Sequence, residues 1–128
     1  MEDEVRKAVD RIVAAFGAER LDEYFSCFAP DATFVFHTTP ERLRSPDEYR
    51  ALWARWVADD AFHVRSCRTS DTRVQVLGEV AVVTHDVETE ISTNAGDETL
   101  HERETIVLAR RSGDWLAVHE HLSPRPEP

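Results

Sequence analysis

The stretch HERETIVLARRSGDWLAVHEHLSPRP, residues 101–126, decides the reading of this chain. Two runs rich in β-forming residues flank Ser112-Gly113, a dipeptide suited to a two-residue hairpin, so the segment reads as an antiparallel pair. A turn there sets Arg111 opposite Asp114, which sets Ile106 opposite His119 and Glu104 opposite His121. Side chains alternate faces along a strand, so His119 and His121 fall together on the face that carries Trp115 and Ala117.

Working outward, residues 80–92 and 98–111 form the preceding pair around TNAGD. A four-residue loop from Asn94 to Asp97 puts Ile106 opposite His85 and Glu104 opposite Val87. One face then holds Ala81, Val83, His85, Val87 and Ile91, beside Leu100, Glu102, Glu104, Ile106 and Leu108. It is mostly apolar, yet it gathers His85, His119 and His121 with two carboxylates. On the other face Glu88 sits opposite Arg103 and Glu90 opposite His101, a pattern of polar surface or subunit contact. A bulge would exchange the faces, because one slipped residue reverses every side chain beyond it.

Upstream, residues 62–77 make a further strand, set off by Gly78-Glu79. Before that the period is helical. Val5, Val9, Ile12, Val13 and Phe16 recur at three and four, predicting a helix over 2–16 closed by Gly17. AERLDEYFSCFAP predicts a second helix ending at Pro30, ATFVFHT a strand, and SPDEYRALWARWVADD a third helix with Ser45 as N-cap and Pro46 in its first turn. Helices followed by an antiparallel meander make an α+β sheet with helices on one face. Residues 1–123 are expected to be one domain and 124–128 a Pro-rich tail.

Bulk properties narrow the function classes. The 128 residues, 41% hydrophobic, suffice for one core and not for two. A net charge of −10 repels phosphate backbones and anionic lipid, so neither nucleic acid nor membrane is expected as a partner. Lys7 is the only lysine, which argues against Schiff-base chemistry. Cys27 and Cys67 form no metal spacing and read as free thiols. The glycines are isolated, so no phosphate loop is present. No apolar run approaches the ~18 residues of a membrane span, and a cytoplasmic location is expected. The Arg and Ala bias suggests a GC-rich bacterial genome.

The phrases FAPDATFVFHTTPERLRSPDEYRALW, LGEVAVVTHDVETEI and HERETIVLARRSGDWLAVHEHLSPRP, in this order, resemble the SnoaL-like branch of the nuclear transport factor 2-like superfamily. That group includes ketosteroid isomerase and polyketide cyclases. The final hairpin also resembles the association domain of calcium/calmodulin-dependent protein kinase, which is not an enzyme. The resemblance implies a cone-shaped curved sheet wrapped on N-terminal helices (a cystatin-like α+β barrel), with a pocket inside the cone and homodimers formed through the outer sheet face. Two departures stand out. Ser45 replaces a Gly usual before the third helix, and nothing matches the catalytic Tyr and Asp of ketosteroid isomerase, so that activity is not carried over.

The candidate catalytic residues are therefore His121, Glu104, His119 and His85. His121 is the expected proton carrier, because the register gives it Glu104 as partner. Tyr24, Phe36, Trp53, Trp56, Glu102 and Trp115 are the candidate ligand-binding residues, and Tyr24 and Tyr49 candidate phenolic donors. The alternatives remain that the histidines simply pack against glutamates, or that H-x-H with distant partners holds a metal, a weak signal. No cofactor or metal is expected. The expected function is acid/base isomerisation, cyclisation or dehydration of a small apolar carbonyl compound, polyketide- or steroid-like, in natural-product biosynthesis. The alternative is a ligand-binding or dimeric assembly module without turnover.

Overall fold

The computed structural model describes residues 1–126. Helix α1 spans Glu2–Gly17 and buries Val5, Val9, Ile12 and Ala15, the stripe its spacing predicts. Gly17 belongs to the helix and does not close it; the left-handed residue is Glu19, at φ 54°. Gly17 instead permits close packing, since a Cβ there would lie 3.2 Å from the Cys67 backbone nitrogen.

Helix α2 covers only Leu21–Ser26, and strand β1, Phe28–Phe36, begins well before the expected position. Tertiary pairing overrides the helical pattern here. The Ala117 N–H donates to the Cys27 carbonyl at 3.0 Å, drawing the chain onto the sheet edge, and Pro30 falls in an irregular stretch between the paired residues Phe28 and Thr33, where its missing N–H costs no ladder bond. Helix α3, Pro46–Asp60, starts as predicted: the Ser45 hydroxyl accepts from the Glu48 N–H at 3.1 Å.

The remaining strands are β2 (His63–Leu77), β3 (Val80–Thr93), β4 (Gly96–Arg111) and β5 (Asp114–Pro124). They form one sheet in the order β1-β5-β4-β3-β2, antiparallel throughout except for the parallel β1/β5 pair. The sheet is curved and unclosed, since β1 and β2 are its two edges. Of the expected tail, Pro124 ends β5 and the Arg125 N–H donates to the His101 carbonyl at 3.0 Å, while Glu127 and Pro128 lie outside the described residues.

Two register corrections determine the site. The β3/β4 turn uses two residues, Asn94 and Ala95, so Thr93 pairs with Gly96, His85 with Glu104 and Val87 with Glu102. Glu88 then faces His101, and Glu90 faces Thr99. The Asn94 N–H donates to the Asp60 carbonyl at 2.8 Å, tying the short turn to the end of α3. A slip of two leaves each side chain on its expected face.

The second correction reverses a face. The turn at Ser112-Gly113 forms as predicted, both residues having positive φ and Arg111 pairing with Asp114. Further along, Leu108 pairs with Ala117 but Val107 pairs with His119, so Val118 is an extra residue in β5. Beyond it Glu120 faces Ile106 and Leu122 faces Glu104. Glu120 consequently points inward, whereas His119 and His121 point outward. The bulge bends β5, which is held between β4 and β1, and β1 has its own irregularity alongside.

Candidate active site

The concave sheet face and the three helices enclose a cavity of about 350 Å³. Its walls are aromatic: Phe16 from α1, Tyr24 from α2, Phe36 from β1, and Tyr49, Trp53 and Trp56 from α3. Phe62 completes them after α3. The α3 residues reach one place because 49, 53 and 56 lie at spacings of four and three. Glu102 and Glu104, alternate residues of β4, and Glu120 from β5 line the same cavity, and Asp60 and Glu98 stand on its exposed rim.

Glu120 is 2% exposed, and it is hydrogen-bonded to Glu104. Two carboxyl groups can bond only by holding a proton between them. Burial, with the like charge of its neighbour, pushes Glu120 well above the usual carboxylate range, and burial pushes Glu104 up to about 7. Tyr24 donates to Glu120 at 3.4 Å and lies 3.0 Å from the Tyr49 hydroxyl. A chain in which Tyr49 donates to Tyr24 and Tyr24 to Glu120 uses both protons. Burial holds both phenols well above their ordinary range, so they remain donors at neutral pH.

Behind Glu104 stands His85, with Nε2 at 2.7 Å from Oε1. Its Nδ1 is buried with no hydrogen-bond partner among the described residues. A bare lone pair is tolerated there more readily than an orphaned N–H, which assigns the proton to Nε2 and keeps the ring neutral. Burial lowers the His85 pKa accordingly. The mobile proton thus belongs to the carboxyl pair, with His85 orienting Glu104. At the other end, His37 Nε2 lies 2.6 Å from Glu102 Oε2.

The structure brings together Glu104, Glu102, Tyr24, Phe36, Trp53 and Trp56 on the cavity wall and sets His85 directly behind. It does not bring His119 or His121 there. His119 Nδ1 bonds Thr33 Oγ1 at 2.8 Å on the outer face, and the ring of His121 is exposed. The predicted Glu104/His121 pairing is replaced by Glu104/Leu122, owing to the Val118 bulge. Trp115 is buried against α1, its Nε1 donating to Glu4 at 3.3 Å, and does not border the cavity. The histidines thus divide between two faces, which breaks up the three-histidine metal reading. Glu120 is the residue that strand alternation misses; its only sequence signal is a carboxylate flanked by polar groups, which reads equally well as surface. Cys67 borders the cavity, but burial pushes its thiol up to about 12, leaving it a poor nucleophile.

Because His121 touches neither the cavity nor a carboxylate among the described residues, His121→Ala should shift stability by no more than ~0.5 kcal/mol, as surface changes do. Thermal melts and ligand titration of that variant check the register directly. Loss of ligand binding would contradict it.

The SnoaL-like domain profile matches residues 5–126. The chain belongs to the SnoaL-like domain family. Three solved structures show the same fold. A candidate calcium/calmodulin-dependent protein kinase II association domain from Xanthomonas campestris is 20% identical, with TM-score 0.80 over 98% of this chain and 88% of that one. A nuclear transport factor 2-like protein of unknown function in nutrient uptake from Rhodospirillum rubrum is 21% identical, with TM-score 0.81 over 95% and 98%. A nuclear transport factor 2-like superfamily protein from Salmonella enterica is 17% identical, with TM-score 0.83 over 98% and 91%. No curated protein matches the sequence. The SnoaL-like chain is thus an α+β protein of nuclear transport factor 2-like, cystatin-like fold. Among its described residues no helix is long and apolar enough to cross a membrane.

Proposed function

We propose that this SnoaL-like protein catalyses proton transfer on a small, largely apolar carbonyl compound, in an isomerisation, cyclisation or dehydration. The observation that carries the reading is the Glu104/Glu120 pair, two buried neighbouring carboxyls on the wall of an aromatic cavity, where burial and like charge favour keeping a proton. A carboxyl pushed up to about 7 is divided between acid and base at neutral pH, the condition under which one group can take and return a proton. The ionised member accepts a proton from the carbon beside the carbonyl, and its protonated neighbour supplies one to another atom of the same molecule. The Trp53 indole N–H, buried and without a partner among the described residues, is a donor suited to the carbonyl oxygen.

The test is exchange of α-protons of β-tetralone in heavy water, followed by NMR. Exchange is expected to exceed that in buffer alone and to rise with pH through about 7 as Glu104 ionises. Binding of the ketone without faster exchange would favour the non-catalytic ligand-binding module.

A further inference from the structure

The charged residues bordering the cavity are all of one sign. Glu102, Glu104, Glu120, Asp60 and Glu98 line it, and no Arg, Lys or His does so among the described residues. The basic groups nearby either pair away from the cavity or stand behind its acids without reaching the wall. Arg50 pairs with Asp22 and stacks over Phe25, 5.3 Å from the ring centroid, while His85 and His37 stand behind Glu104 and Glu102. On the same cavity wall Trp53, Trp56 and Phe62 pack on one another, their ring centroids 6.4, 5.5 and 5.4 Å apart. Ring faces are negative, so they add to the field of the carboxylates instead of opposing it.

A second observation points to a ligand independently of the acids. Trp53, 1% exposed, borders the cavity, and its buried indole N–H finds no acceptor among the described residues. A buried donor without an acceptor costs stability, and a ligand oxygen or π-electron group removes that cost.

Taking this cavity as the ligand site, as the reading above does, we propose that it selects an organic cation: a protonated amine on an apolar, aromatic-sized skeleton. Neutral molecules fill the apolar wall but add nothing to offset the like charge that builds up as these carboxyls ionise, and anions are repelled by it. An ammonium group is matched on both sides, by carboxylate oxygens and by ring faces, once its water is removed. The overall charge of −10 draws such a ligand toward the protein before it docks.

The experiment is calorimetric titration of the whole chain with naphthylethylamine, naphthylethanol and naphthylacetate, three probes of one skeleton and different charge. At about pH 8 the amine keeps its proton and should bind at least ~10-fold tighter than the alcohol, with the carboxylate weakest. Glu102→Gln should narrow the gap between amine and alcohol, the amine losing affinity by a larger factor than the alcohol. If that variant does not fold, the wild-type series decides alone. Equal affinity for amine and alcohol overturns the proposal, as does absence of amine binding at about 1 mM. The catalytic reading fails separately: amine preference without α-proton exchange on β-tetralone refutes catalysis alone, whereas exchange on that uncharged ketone with no amine binding refutes only the cation.

Discussion

Glu120→Gln is expected to slow α-proton exchange on a bound ketone by about 10²- to 10⁴-fold, the range of a lost general acid or base. The amide retains the shape of the carboxyl and can still accept from Tyr24, but it cannot take up or release the proton held with Glu104. Glu104→Gln should cost a similar factor, and the double variant little more than either single one, because the two carboxyls act as a unit. Ketone affinity should change far less than the rate. If instead each variant only lowers the melting temperature and leaves the rate per folded molecule intact, the pair is structural.

The same groups should make stability depend on pH in an unusual direction. In the folded chain Glu104 keeps its proton up to about 7, against an ordinary value of 4.5. Between those values the folded chain binds more protons than the unfolded one, so this contribution is whole below about 4.5, falls as pH rises, and is gone above about 7. A displacement of this size corresponds to about 3 kcal/mol. Glu104→Gln, which never ionises, should therefore lose this share of the decline, Glu120 keeping its own, and be more stable than the unaltered protein at about pH 8, although slowed in proton exchange. His85 works the other way: with its pKa lowered by burial, its contribution grows as pH rises toward 6.5 and masks part of the decline below that point. Urea unfolding at about pH 5, 6.5 and 8 separates the two, since only the carboxyl effect persists above 6.5. A Glu104→Gln variant less stable than the parent at the higher pH would contradict the assignment.

Most of the architecture was legible in the sequence because it rests on local signals. The α1 stripe, the Ser45 cap and the turn at Ser112-Gly113 each depend on residues within a few positions of one another, and each forms as read. The site was half legible. Glu102, Glu104 and His85 were placed on the inner face because an error of two residues in the β3/β4 turn preserves alternation. Glu120 was placed on the outside, because the Val118 bulge carries no glycine or proline to announce it and follows from the bending of β5 between β4 and β1. Helix α2 is shorter than its sequence pattern implies for a related reason. The segment from Phe28 has a helical pattern in isolation and becomes a strand through a partner 89 residues away, Ala117.

The extra residue at Val118 also governs how this chain is to be compared with its relatives. In a relative whose last strand runs straight, the residue two after the Ala117 equivalent occupies the inner face; here that face is reached only after three. An ungapped comparison would therefore match Glu120 to a solvent-facing position and His119 or His121 to pocket positions, and would transfer chemical roles to the wrong side chains. At identities of 17–21% nothing in the neighbouring residues corrects the error. Site residues on either side of this point are comparable only when the strands are matched by the face each side chain occupies, with a one-residue gap opened at Val118.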